Sequence, residues 1–231
     1  MILKAARLSS VTIISIVSIS LQISTSTLFE AKMPSKYADA HKSTNGPGDA
    51  RPTALQIIQD QGLGGKLTGK VFLITGCSSG IGVATAKALT TTGATLYLTA
   101  RNIPAAQKAL KSILKPGQVE LIEINLSSLQ SVKSGVKAFL KKSTTLNVLI
   151  CNAGVIAIPN LTRTNNGFET QFGVNHLAHF LFFQLLESYM ISSSSPSFNS
   201  RVVAVSSSGH RRGGLRLDDY NYNKRPQEYK G

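Results

Sequence analysis

The sequence predicts a doubly wound α/β domain built on a parallel sheet. Three observations carry this. From Leu67 onward, runs with strand character alternate with runs of helical periodicity. The connections between them are short, as parallel crossover units require. The stretch Val71 to Gly82, VFLITGCSSGIG, leads an apolar β-prone run through glycines into a helix start. That is how such sheets hold a dinucleotide pyrophosphate, as in the Rossmann fold.

Residues 1–32 stand apart from the rest of the chain. Lys4 and Arg7 precede an apolar stretch, Leu8 to Ile23, rich in Ile, Val, Leu, Ser and Thr. It has the pattern of a signal peptide or a weak membrane anchor. The run is short for a spanning helix, and its Ser and Thr dilute its hydrophobicity. Met33 then opens a polar leader, residues 33–66, that looks like an ordinary soluble N-terminus. Two readings are open. Residues 8–23 contact a membrane, which places the protein at the endoplasmic reticulum, or translation starts at Met33 and the protein is cytoplasmic. The second is preferred.

Ala54 to Gly62 reads as a short lead-in helix. The domain proper spans residues 67–231. Strands are expected at Val71–Thr75, Thr95–Ala100, Val119–Asn125, Asn147–Cys151 and Arg201–Ser206. Helices are expected at Ile81–Thr92, Pro104–Leu114, Leu129–Lys142 and Gly167–Ile191. Pro104 suits a first helical turn, while Gly93, Pro116–Gly117 and Ser192–Pro196 mark ends and loops.

The formal net charge is +14 over 231 residues. The basic residues are scattered, no stretch has the form of a helix-turn-helix or an aromatic RNA-binding strand, and a nucleic-acid partner is not expected. A basic cleft that attracts a phosphorylated cofactor is the more economical use of the charge. The cysteines are Cys77 and Cys151 alone, which suggests no disulfide framework, and no Cys/His cluster has metal-ligand spacing. No metal is expected.

Within the glycine motif, Gly76 takes the tight turn at the strand end. Gly80 removes a Cβ where phosphates approach the backbone, and Gly82 lets the helix pack on the sheet. Ser79 and Ile81 lie among them, with backbone N–H groups and the positive helix end turned to the anion.

With these motifs in order, Lys66 to about Lys230 resembles the short-chain dehydrogenase/reductase family, and within it the retinol dehydrogenase-like and WW-domain-oxidoreductase-like branch of fungal type. The glycine motif matches at Thr75, Gly76, Gly80 and Gly82. The second strand ends in LTARN, where NAD-preferring members carry an acid. Arg101 stands there instead and suits a 2′-phosphate, so NADP is the expected cofactor. Asn125 stands where the family has an adenine-binding Asp. Asn152, Ala153 and Gly154 match the family's NNAG turn, with Cys151 in place of its first Asn. Asn175, in FGVNHL, matches the catalytic Asn that distorts its helix and holds a water for proton relay. Ser207 matches the catalytic Ser that bonds the substrate oxygen. His176 and His179 read as core or interface residues.

The resemblance implies an oxidoreductase that moves hydride between NADP(H) and a small carbonyl or alcohol substrate. A fungal-type member suggests secondary metabolism. Self-association is left open, as are the substrate and the direction of reaction. The family also needs a Tyr and a Lys four apart on a helix. Tyr220 and Lys224 have that spacing, but two Asn between them and Pro226 just beyond make a poor helix. They are read as a loop that precedes the true motif. On that reading the C-terminal part of the domain is missing and a sheet edge is left bare. The alternative to an enzyme is then a nucleotide-binding module without chemistry, or the product of a decayed gene.

Overall fold

A computed structural model describes residues 11–16, 36–46, 48–207, 209–210, 214 and 216–229. Its centre is a six-stranded parallel sheet. The strands are β1 (Val11–Ile16), β2 (Val71–Ile74), β3 (Thr95–Ala100), β4 (Val119–Glu123), β5 (Val148–Cys151) and β6 (Ser200–Val205). Their spatial order is β1-β6-β5-β2-β3-β4. The chain runs outward from β2 through β3 to β4, then returns to the other side of β2. The order therefore reverses between β2 and β5, where such sheets open a crevice beyond their carboxyl ends.

The crossover helices are α2 (Gly80–Thr90), α3 (Ile103–Leu110) and α4 (Leu129–Leu140), preceded by the short α1 (Ala54–Asp60). Their starts follow side-chain chemistry. Thr53, Asn102 and Ser128 each accept a backbone N–H of the first turn in α1, α3 and α4. Pro104 sits in the first turn of α3.

Strand alternation sends successive residues to opposite faces. Tyr97, Leu73, Leu149 and Val202 lie side by side across four strands and share one core with Phe139 of α4 and, from the later helix, Phe182 and Leu186. Tyr97 meets Phe139 edge to face at 5.1 Å. The next row, Leu98, Ile74 and Ile150, joins the opposite core with Ala86, Ala106 and Leu110. Buried Asn147 closes the lower end of the sheet. Its Oδ1 accepts from Val71 N at 2.9 Å, and its Nδ2 donates to the Ser193 carbonyl.

The helix expected over Pro104–Leu114 ends at Leu110, and the fold departs from the sequence expectations more widely in two places. The helix expected over Gly167–Ile191 is broken. Gly167 has φ of +79°, Glu169 caps the start at Thr170, and the run is α5 (Thr170–Phe172), a π turn (Gly173–Leu177) and α6 (Ala178–Ser192). The second departure concerns the edge beside β6, which was expected to be bare. Residues 11–16 pair with it in parallel register, from Val11 opposite Ser200 to Ile16 opposite Val205. The rest of the stretch 8–23 lies outside the described residues. Among the described residues, no helix is long and apolar enough to cross a membrane.

Candidate functional site

At the switch point a groove of about 1110 Å³ runs across the carboxyl ends of the strands. Its floor is the glycine turn after β2. Gly76 has φ of +75°, and a Cβ there would fall 2.7 Å from the Ala153 Cα. Gly82 is closed in still further, since its Cβ would lie 2.2 Å from the Gly76 carbonyl oxygen. Gly80 differs. It has φ of +58° and nothing within 4 Å of a Cβ position, so its open side faces the groove. Ser79 precedes α2 without a side-chain cap, and Ile81 stays 68% exposed. The first N–H groups of α2 are thus left for a ligand.

The second wall is the turn after β5. Asn152 Nδ2 donates to the Thr75 carbonyl at 2.8 Å, and the Asn152 and Ala153 N–H groups both donate to Thr75 Oγ1 at 2.9 Å. One hydroxyl at the end of β2 thereby ties the two turns together. Gly154 continues the lining. Cys151 packs in the core beside Leu149, and burial pushes its thiol up to about 12. Burial does the same to Cys77.

Asn175 lies in the π turn, where the Ala178 N–H reaches back to the Gly173 carbonyl. Such turns widen a helix and re-aim its side chains. Asn175 Oδ1 accepts from Val155 N and its Nδ2 donates to the Val155 carbonyl, both at 2.8 Å. The side chain clamps the strand-end segment that continues from Gly154.

Ser207 and Arg101 also line the groove, each exposed at the end of its strand. Ser207 Oγ accepts from Gly209 N at 3.1 Å. Among the described lining residues there is no carboxylate. Sequence reasoning missed Gln171 and His210, which complete the rim; neither belongs to a motif read from the sequence.

The structure does not bring Asn125 to the groove wall, although Ile124, Leu126 and Ser127 are there. Its Oδ1 accepts from Ser127 N at 3.0 Å and so is used in a local turn. Tyr220 and Lys224 are not on a helix. The Asp219 carboxylate accepts the N–H groups of Asn223, Lys224 and Arg225 at 2.8–3.1 Å, which folds the segment into a closed loop. Tyr220 packs on Phe172, with ring centroids 5.3 Å apart, outside the groove.

A family model described as short chain dehydrogenase matches residues 70–224, which spans the sheet, the groove and the loop. The chain belongs to the short-chain dehydrogenase family. The family binds nicotinamide cofactors and acts on small molecules. The chain is 48% identical over 195 residues to the short-chain dehydrogenase/reductase prx1 of Penicillium rubens, covering 84% of this chain and 57% of that protein. It is 42% identical to the oxidoreductase calI of Penicillium decumbens, over 80% of this chain and 56% of that one. It is 40% identical to the human WW domain-containing oxidoreductase, over 71% of this chain and 38% of the relative. The chain thus spans little more than half the length of its fungal relatives. Among solved structures, an uncharacterised protein from Mycobacterium paratuberculosis matches with a TM-score of 0.58 and 34% identity, over 71% of this chain and 55% of that one. A 3-ketoacyl-(acyl-carrier-protein) reductase from Brucella melitensis complexed with NADH matches with a TM-score of 0.55 and 28% identity, over 67% and 64%.

Proposed function

We propose that this chain is the nucleotide-binding part of an NADP(H)-dependent oxidoreductase that acts on a carbonyl or alcohol. The observation that carries the cofactor choice is Arg101 at the end of β3, in a groove with no carboxylate among its described lining residues. A guanidinium there pairs with a 2′-phosphate, whereas a ribose 2′-hydroxyl needs an acceptor. Two observations support a dinucleotide in this groove. Gly80 leaves open space where phosphate meets backbone, and the first turn of α2 offers N–H groups with no side-chain cap.

When bound, the nicotinamide supplies or accepts a hydride. In this reading the Ser207 hydroxyl, which lines the groove, donates to the substrate oxygen as charge grows on it. Asn175 holds the Val155 segment as the rim of the reaction end and is the candidate for positioning a water in a proton relay. Asn152, Ala153 and Gly154 form the wall against the cofactor ribose. A place in fungal secondary metabolism belongs to the same reading and rests on similarity to the Penicillium relatives.

A second reading is a module that holds nucleotide without turnover. It is favoured by Tyr220 and Lys224, which lie in a loop outside the groove and not on a helix facing it. One experiment separates the outcomes: titration of the purified chain with NADPH and NADH, followed by bound-dinucleotide fluorescence and then by carbonyl reduction. NADPH is expected to bind at least about tenfold more tightly than NADH. Equal or reversed affinities would remove the NADP assignment, and failure of both to bind would remove the function. Binding without turnover selects the second reading.

A further inference from the structure

Buried His179 in α6 plays no part in the function proposed above, yet its ring is bonded at both nitrogens. Nδ1 lies 3.1 Å from the Asn175 carbonyl oxygen, and Nε2 lies 2.9 Å from Thr75 Oγ1. A carbonyl only accepts, so Nδ1 carries the hydrogen. The Thr75 side gives the same assignment independently. Oγ1 already accepts the N–H groups of Asn152 and Ala153, which fills both lone pairs of a hydroxyl. A third N–H from Nε2 would find no lone pair. Nε2 is therefore the acceptor, and the Thr75 hydroxyl donates to it.

We propose that His179 is a positioning residue: neutral, with its hydrogen on Nδ1, it aims the Thr75 hydroxyl so that both lone pairs hold the Asn152–Ala153 turn, and so locks the two turns of the nucleotide groove to the helix that carries Asn175. The other acceptor within reach of the hydroxyl is the Ile150 carbonyl, at 3.4 Å. With an apolar ring at 179, the hydrogen turns toward Ile150 and the lone pairs rotate away from the two N–H groups. The turn that faces Gly76 then loosens, because Ala153 is the residue packed against that glycine. His179 thus joins three segments far apart in sequence: the end of β2, the turn after β5, and the π turn.

This inference rests on the nucleotide site proposed above, so its test includes readouts that need no nucleotide. The first is the ring tautomer in the native chain, from long-range proton–nitrogen correlation. The Nδ1–H form is expected, and the Nε2–H form would overturn the proposal. The second is amide exchange at Ala153, because the Asn152 N–H also reaches the Ile150 carbonyl at 3.1 Å. Exchange there is expected to quicken in His179→Phe and to return toward native in His179→Gln, whose side-chain carbonyl accepts from Thr75. The third is NADPH titration. His179→Phe should bind about tenfold more weakly, as expected for a misaligned pair of hydrogen bonds. The loss should vanish in a Thr75→Val background, because both changes act through one hydroxyl. Native exchange and affinity in His179→Phe, or losses that add in the double variant, would also overturn it. If His179→Phe does not fold, the tautomer and His179→Gln still decide. If the native chain binds no NADPH, the proposed function fails, while tautomer and exchange still judge His179.

Discussion

At the scale of single residues, Arg101 and His179 carry opposite lessons about charge. Arg101 is exposed at a strand end, where a guanidinium keeps its water until an anion arrives. Its contribution should therefore appear only when a phosphate is bound. Arg101→Ser is expected to weaken NADPH by about ten- to a hundredfold and leave NADH unchanged, which paired titrations would check. A parallel loss for both would place Arg101 in general folding. His179 works because it is uncharged. Burial pushes it below the ordinary histidine value of 6.5, its bond to the Asn175 carbonyl opposes that, and His176 adds a smaller push downward. With a lowered folded value, the unfolded chain takes up the proton first. Stability is then full above 6.5 and falls as pH drops through and below it toward the folded value. Denaturant melts at about pH 7.5 and pH 5.5 should show a smaller acid loss in His179→Gln than in the native chain. Equal losses would assign the acid sensitivity elsewhere.

At the scale of elements, the segment after β6 shows how spacing without a helix misleads. Tyr220 and Lys224 stand four apart, and on a helix they would share a face. Here Asp219 captures the N–H groups of residues 223–225, which a helix would spend on carbonyls four residues back. Arg163 adds to the loop from outside, donating to the Asn221 carbonyl and to Asn223 Oδ1. Tyr220 is thereby turned onto Phe172, away from the groove. Tyr220→Phe should leave NADPH binding as it was, and any carbonyl reduction by this chain unchanged. Loss of turnover in that variant would instead put the phenol at the reacting oxygen. The π turn teaches the converse. Asn175 is set by a local widening that no propensity signals: periodicity reads as one helix over 167–191, and only the family resemblance implied a distortion at Asn175.

Across the whole molecule, legibility in the sequence comes from periodicity. The central strands β2, β3 and β5 are largely apolar, while β4 carries Glu120 and Glu123 and β6 carries Arg201. The alternation of strands with helices such as α3 and α4 made the succession of elements along the chain legible. The groove was legible where backbone geometry demands glycine, at Gly76, Gly80 and Gly82. Contacts that exist only after the sheet closes were not legible, such as Thr75 to His179 across 104 residues. Nor was β1, because VTIISI in a Ser- and Thr-rich leader fits a targeting segment as well as a strand. In the structure it covers the outer edge of β6 along six paired positions. A bare parallel edge presents a row of unpaired N–H and C=O groups that invites pairing with another chain. A chain begun at Met33 lacks that cover. It should scatter more light at the same concentration and melt at least about 3 °C lower than the full chain. Should both forms melt and scatter alike, β1 adds nothing to the edge, and the segment from Leu8 to Ile23 must have another use.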